Sequence, residues 1–187
     1  MVRAFETTID DETYERLALA DGRPWELWDG ALVEKPEMSL QHNDALTELV
    51  RQLLPQLPRA EHVVRFNAAR LRRPLTYFVP DLFVVPENPD RSRVLAQASL
   101  EAYAESALLV VEVWSPSTGR YDIDAKLPEY MARGDREIWR LHPYERTLTV
   151  WRRQPDGSYA EVVFLGGIVE LAALPGVSID LDDLFAG

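Results

Sequence analysis

The chain has 187 residues, 47% hydrophobic and 27% charged, with a formal net charge of −11 at pH 7. This is the profile of one soluble globular domain, which at this length buries roughly 70% of its unfolded surface and needs no metal or disulfide merely to fold. Cysteine is absent, which excludes disulfide staples, thiolate zinc sites and cysteine nucleophiles.

The first eleven residues are too acidic and too broken for a secretory leader, and no apolar run approaches the ~20 residues of a membrane span. A cytoplasmic protein with no membrane partner is expected. The twenty basic residues comprise eighteen arginines and only two lysines, Lys35 and Lys126. Where arginine is the default cation, a retained lysine points to a need for a compact, mobile ammonium. Arg65, Arg70, Arg72 and Arg73 crowd one short stretch, with Arg91, Arg93 and Arg120 further on. They suit either a local basic cleft on an acidic body or a solvated surface.

In chain order, residues 9–20 read as a helix opened by an early acid and closed near Asp21-Gly22. Asp29-Gly30 between two short apolar runs predicts a hairpin. Residues 40–57 carry Leu46, Leu49, Val50, Leu53 and Leu54 at helical spacing, with Ser39 as N-cap and Pro55 and Pro58 as the stop. Strands are expected at 62–71, from Tyr77 to Val85 and from Ala107 to Trp114. The last is apolar on both faces, as a central strand must be. Residues 94–104 read as a short helix or loop. Asp122 to Arg133 reads as a helix, with Asp122 and Asp124 as candidate caps and Gly134 as its end. Strands follow at 136–141, 147–153 and 158–165, and the tail is a short strand with an acidic turn. The sum is one α+β domain, residues 1–187, with a mixed sheet, an N-terminal helix and hairpin, and C-terminal strands.

Two acids interrupt apolar strands. The period of two puts each on a face with apolar neighbours, Val79 and Phe83 for Asp81, and Val110 and Trp114 for Glu112. A buried carboxylate is costly unless it is paired or bound to a metal. Either each is a structural acid met by an arginine or an amide, or the two converge on a hard divalent cation such as Mg²⁺. Lys126 borders the apolar face of its helix, placed either to snorkel to water or to reach back to the carboxylates. In the second case its ammonium would steady charge developing on a phosphate. His42 follows the stripe of Leu46, Leu49 and Leu53, at the mouth of such a site or as a core-edge histidine. Glu26 is either a cross-strand partner within the hairpin or a further acid of the site.

These segments also carry a resemblance. Trp25-Glu26-Leu27-Trp28-Asp29-Gly30, Pro80-Asp81-Leu82-Phe83-Val84-Val85, Leu109-Val110-Val111-Glu112-Val113-Trp114-Ser115-Pro116-Ser117-Thr118 and Asp124-Ala125-Lys126-Leu127-Pro128-Glu129-Tyr130 stand in this order. Gly134, Glu137 and Trp139 follow them. The series resembles the Uma2 family of restriction-endonuclease-like proteins in the PD-(D/E)XK nuclease superfamily, from about residue 10 to the C-terminus. The resemblance implies a restriction-endonuclease-like core, a mixed β-sheet flanked by helices, and Mg²⁺-dependent phosphodiester hydrolysis, with Mn²⁺ as a substitute. It implies Asp81 and Glu112 as catalytic metal ligands and Lys126 as the catalytic lysine, displaced to the next helix because Trp114 stands where the superfamily has it. His42 and Glu26 become accessory candidates. Pro128 and His142-Pro143 depart from the family's usual residues.

The expected function is therefore a metal-dependent endonuclease acting on DNA, as a homodimer or higher homo-oligomer that presents two sites to a duplex. The alternative is a catalytically inactive nuclease scaffold serving in assembly or nucleic-acid binding, which the acidic charge favours. A hydrolase of other phosphate esters would be a third class, but no glycine-rich phosphate loop or histidine cluster supports it.

Overall fold

The computed structural model describes residues 8–35, 38–88 and 99–186. Arg91, Arg93 and residues 94–98 of the expected helix or loop lie outside them.

Helix α1 (Asp11–Asp21) is capped by Asp10, whose carboxylate accepts from the Thr13 amide, and ends at Gly22 in the left-handed region. Strands β1 (Trp25–Trp28) and β2 (Ala31–Glu34) form the predicted hairpin. Its turn places Asp29 at φ 48° and Gly30 at φ 72°, the two positive values that a two-residue turn needs to match strand twist. Helix α2 (Leu40–Leu53) is capped by Ser39 and runs into a 3₁₀ turn, Leu54–Gln56, at Pro55.

The predicted 62–71 strand is two, β3 (His62–Phe66) and β4 (Arg70–Arg73), divided at Asn67, which takes φ 51°. The predicted Tyr77 to Val85 strand is also two, β5 (Thr76–Phe78) and β6 (Leu82–Pro86). Pro80 has no N–H to give a ladder, and the chain changes sheet across Val79-Pro80-Asp81. After β7 (Ala102–Tyr103) and β8 (Leu109–Val113) comes α3, which opens with a turn at Gly119–Tyr121, widens to a π turn over Asp122–Lys126 and continues as Leu127–Arg133. Pro128 cannot donate to the carbonyl four residues back, and its ring crowds that carbonyl. The Leu127 amide bonds instead to the Asp122 carbonyl, five residues back. The expectation that Asp122 and Asp124 cap this helix is therefore corrected: both lie inside the π turn, and Gly134 closes the helix at φ 77°.

Strands β9 (Glu137–His142), β10 (Thr147–Arg153) and β11 (Tyr159–Phe164) follow as predicted. A small hairpin, β12 (Ile168–Glu170) with β13 (Ser178–Asp180), and the short α4 (Leu181–Leu184) finish the chain. The main sheet has the order β11-β10-β9-β8-β6-β3, with β8 parallel to β9 and antiparallel to β6. A second sheet has the order β2-β1-β5-β4-β7.

Successive side chains of β8 serve opposite faces. Leu109, Val111 and Val113 join Leu46, Leu49 and Leu53 of α2 and Trp139 and Leu141 of β9. Val110 joins Tyr130 of α3, Ile138, Phe83 and Phe78. A third cluster holds Tyr14 of α1 against Trp25, Leu27 and Tyr77. The α3 face of the central strand is thus where Glu112 must point. Among the described residues no helix is long and apolar enough to cross a membrane.

Candidate active site

Asp81 sits just before β6, buried at the change of sheet. Its Oδ1 takes the Lys35 ammonium at 2.8 Å, and its Oδ2 lies 2.9 Å from His42 Nε2 and accepts the Val113 amide at 2.7 Å. Lys35 also donates to the Val79 carbonyl at 2.9 Å and to Asn67 Oδ1 at 3.2 Å. Burial pushes the Asp81 carboxyl up, but Lys35 and His42 hold it well below the usual carboxylate range.

Glu112 faces α3. Its Oε1 accepts the Tyr130 hydroxyl at 2.5 Å and the Lys126 ammonium at 3.2 Å. Lys126 Nζ lies 3.0 Å from Glu26 Oε1 and 3.7 Å from Asp122 Oδ1. It is 1% exposed, which removes the snorkelling alternative. Burial opposes its charge, yet Glu112, Glu26 and Asp122 together raise it well above the ordinary lysine value. Glu26 is no hairpin cross-strand acid either: its Oε1 accepts the Val79 amide at 2.8 Å, across from β1 to the link between β5 and β6. The site residues thus fall into two buried sets, Asp81 with His42 and Lys35, and Glu112 with Lys126, Glu26 and Asp122, which act on each other electrostatically.

Three participants were not foreseen. Lys35 follows directly on β2, and no periodicity singles it out. Asp122, a candidate cap by its position in the sequence, is carried inward by the π turn, four residues before Lys126. Tyr130 has its ring in the apolar cluster under α3, and only its hydroxyl reaches Glu112. Both lysines of the chain stand in this cluster, so the rarity of lysine was the signal that could have found Lys35.

Four carboxylates, Glu26, Asp81, Glu112 and Asp122, are buried with two ammonium groups. Ionised together, they leave an excess of negative charge that a low-dielectric interior does not tolerate. Burial accordingly favours the neutral form of two of these acids. Burial pushes Glu112 up to about 8 and Asp122 to about 6, the lysine beside them notwithstanding. Glu26 Oε2 and both Asp122 oxygens are buried without a hydrogen-bond partner. A divalent cation would cancel the same excess through hard oxygen ligands, so the donor set fits Mg²⁺ or Mn²⁺. Among the described residues no three His, Asp or Glu side chains stand gathered as a ready cage. Mg²⁺ commonly takes one or two carboxylates and completes its shell with water and substrate phosphate.

Of the two alternatives for the arginine-rich stretch, the basic cleft loses ground, because three of its arginines are paired with acids. Arg65 pairs with Glu101 at 2.7 Å, Arg73 with Glu129 at 2.7 Å and Arg72 with Glu15 at 3.3 Å. Arg120 is almost fully exposed, 3.6 Å from Asp124. At the other edge of the site, Gly119 lies against Trp114: a Cβ there would stand 2.0 Å from the indole Nε1. Gly119→Ala is therefore expected to displace Trp114 and the start of α3 at a cost of about 1–3 kcal/mol. Urea unfolding checks this, and a loss under about 0.5 kcal/mol would contradict it.

Residues 11–182 match the model of the Uma2 family, described as "putative restriction endonuclease". Among solved structures the chain is similar to a putative nuclease belonging to DUF820 from Anabaena variabilis, at 19% identity and a TM-score of 0.69, covering 87% of this chain and 89% of that one. At that identity the likeness shows the fold. No curated protein matches.

Proposed function

The chain belongs to the Uma2 family, and from that premise we propose that it is a divalent-cation-dependent nuclease that hydrolyses phosphodiester bonds in DNA. The observation that carries this reading is the buried excess of carboxylates around two lysines, on a fold shared with a nuclease-family structure. Asp81 and Glu112 would hold Mg²⁺ or Mn²⁺, with the free oxygens of Glu26 and Asp122 beside them. Such an ion lowers the pKa of a bound water and polarises a phosphate.

The chain's own groups have distinct tasks. Lys126, held among three acids, presents a fixed ammonium to the charge that develops on phosphorus. Lys35, His42 and the Val113 amide fix Asp81 from three sides and keep it ionised. Tyr130 orients Glu112 by donating to one oxygen and leaves the other open. We take the working species to be cytoplasmic and homodimeric, since two copies serve the two strands of a duplex. Sedimentation that finds only monomer at working concentration argues against the dimer.

The test pairs binding with cleavage. Calorimetric titration of metal-free protein with Mn²⁺ should find a site that Glu112→Gln abolishes. Cleavage of plasmid and oligonucleotide DNA in Mg²⁺ or Mn²⁺ should be lost in Asp81→Asn, a substitution that keeps shape and removes charge. Activity that survives Asp81→Asn sinks the assignment. Failure of the wild type to bind Mn²⁺ would leave the inactive scaffold as the better reading.

A further inference from the structure

On the α3 face of the main sheet, β8 and β9 run side by side in register, and their paired residues change character along the way. Val110 stands beside Ile138, then Glu112 beside Arg140. One step on, the Trp114 and His142 rings stack at 4.1 Å and 21°. Tyr144 closes on both, with its ring 5.6 Å from Trp114 at 82°. The Tyr144 hydroxyl donates to Gln41 Oε1 at 3.2 Å, at the start of α2, one residue before His42. The three rings therefore join the two elements that hold Asp81 and Glu112.

None of the three rings belongs to the apolar clusters. Trp114 is half-buried, the His142 side chain is 11% exposed and Tyr144 is 50% exposed. Arg140 beside them is half-buried, and among the described residues its side chain has no hydrogen bond or ion pair; its Nε is buried without a partner. The contrast with Arg65, Arg72 and Arg73, each tied to a carboxylate, is direct.

We propose that Trp114, His142, Tyr144 and Arg140 form a binding site for one unpaired nucleotide next to the carboxylate–lysine cluster. Its base lies on the aromatic group and its phosphate on Arg140. This rests on the nuclease reading and narrows its substrate to a strand with at least one nucleotide out of the duplex. An aromatic face with an adjacent cation is how proteins hold unpaired strands, because a base inside a duplex offers its faces only to its neighbours. The net charge of −11 points the same way. It disfavours a grip built on many phosphates, so affinity has to come from stacking and a few placed cations.

The test uses fluorescence anisotropy in Ca²⁺, with a labelled 12-nucleotide thymidine strand, a strand of equal length with central abasic positions, and the matching duplex. Wild type should prefer the intact strand over the abasic one by at least about fivefold, the low end for a stacked base. Tyr144→Ala should erase most of that preference and Tyr144→Phe should keep it, since the ring remains. Arg140→Gln should weaken both strands alike and flatten the dependence on salt. Equal affinity for intact and abasic strands, stronger binding of the duplex, or a preference that survives Tyr144→Ala overturns the proposal. If Tyr144→Ala does not fold, the wild-type comparison of intact with abasic strand still decides. Cleavage of the same strands in Mg²⁺ separates the two readings. Strands cut but bound without regard to their bases leave a nuclease without this site, and strands neither bound nor cut remove both.

Discussion

Lys126→Met is expected to destabilise the folded chain by roughly 3–5 kcal/mol, the usual cost of removing one partner from a buried ionic cluster. The methionine fills much the same volume, so the loss is electrostatic. Glu26, Glu112 and Asp122 all lie within 3.7 Å of the ammonium, and without it three buried carboxylates face one another. They must take up protons or draw in water. Two consequences separate this account from simple loss of packing. Lys126→Met combined with Glu112→Gln should be less destabilised than the sum of the single variants, because the second substitution removes an acid that the first left unpaired. Saturating Mn²⁺ should also restore part of the stability of Lys126→Met. Urea unfolding with and without Mn²⁺ measures both. A single-variant loss under about 1 kcal/mol, or strict additivity in the double variant, would mean that the lysine is not the counter-charge of this site.

How much of this was legible in the sequence depends on what each residue interrupts. Glu112 stands out because an acid inside Leu109–Val113 has no apolar reason to be there, and the period of two puts it on one face with Val110 and Trp114; only the fold shows that α3 covers that face. Asp81 stands out for the same reason, but the single strand expected from Tyr77 to Val85 is two: Pro80 marks a change of sheet, and no local pattern says which sheet a strand joins. Glu26 looked like a hairpin acid because β1–β2 pairing is local. Its real partners, the Val79 amide and Lys126, are 53 residues away in the first case and on another element in the second. Asp122 was hidden by the assumption of 3.6 residues per turn, which a π turn breaks. Pro128 carried the warning, since a proline so placed forbids the ordinary bond. Lys35 was hidden by its position at the end of a short strand, where nothing in periodicity sets it apart. Composition did, because the reasoning applied to Lys126 covered the only other lysine equally well.

Without metal, stability should fall as pH rises from about 5 to 9, contrary to the behaviour of a protein held by ordinary carboxylate pairs. Glu112 has its folded value raised to about 8 and Asp122 to about 6, both by burial first. An acid raised on folding binds its proton more tightly in the folded state. Its contribution is complete below the unfolded value and disappears as pH climbs through the folded one. Asp81 is shifted the other way, so its contribution is lost only in acid. Lys126, raised above its ordinary value, loses its contribution only in strong alkali. Asp135, also raised by burial to about 6, adds to the early part of the fall, which leaves the interval from about 6 to 8 to Glu112. Each pKa unit is worth ~1.4 kcal/mol, so three acids titrating across this range make the whole change several kcal/mol. Urea midpoints in EDTA across this range test it, and Glu112→Gln should flatten the upper part. A divalent cation competes with these same protons. Apparent Mn²⁺ affinity should therefore rise by up to about tenfold per pH unit for each proton displaced, levelling off above about 8 where Glu112 is ionised without help. A metal-free stability that is flat or rises with pH would mean that the carboxylate excess is satisfied in some other way, and the case for a divalent cation at this site would lose its physical basis.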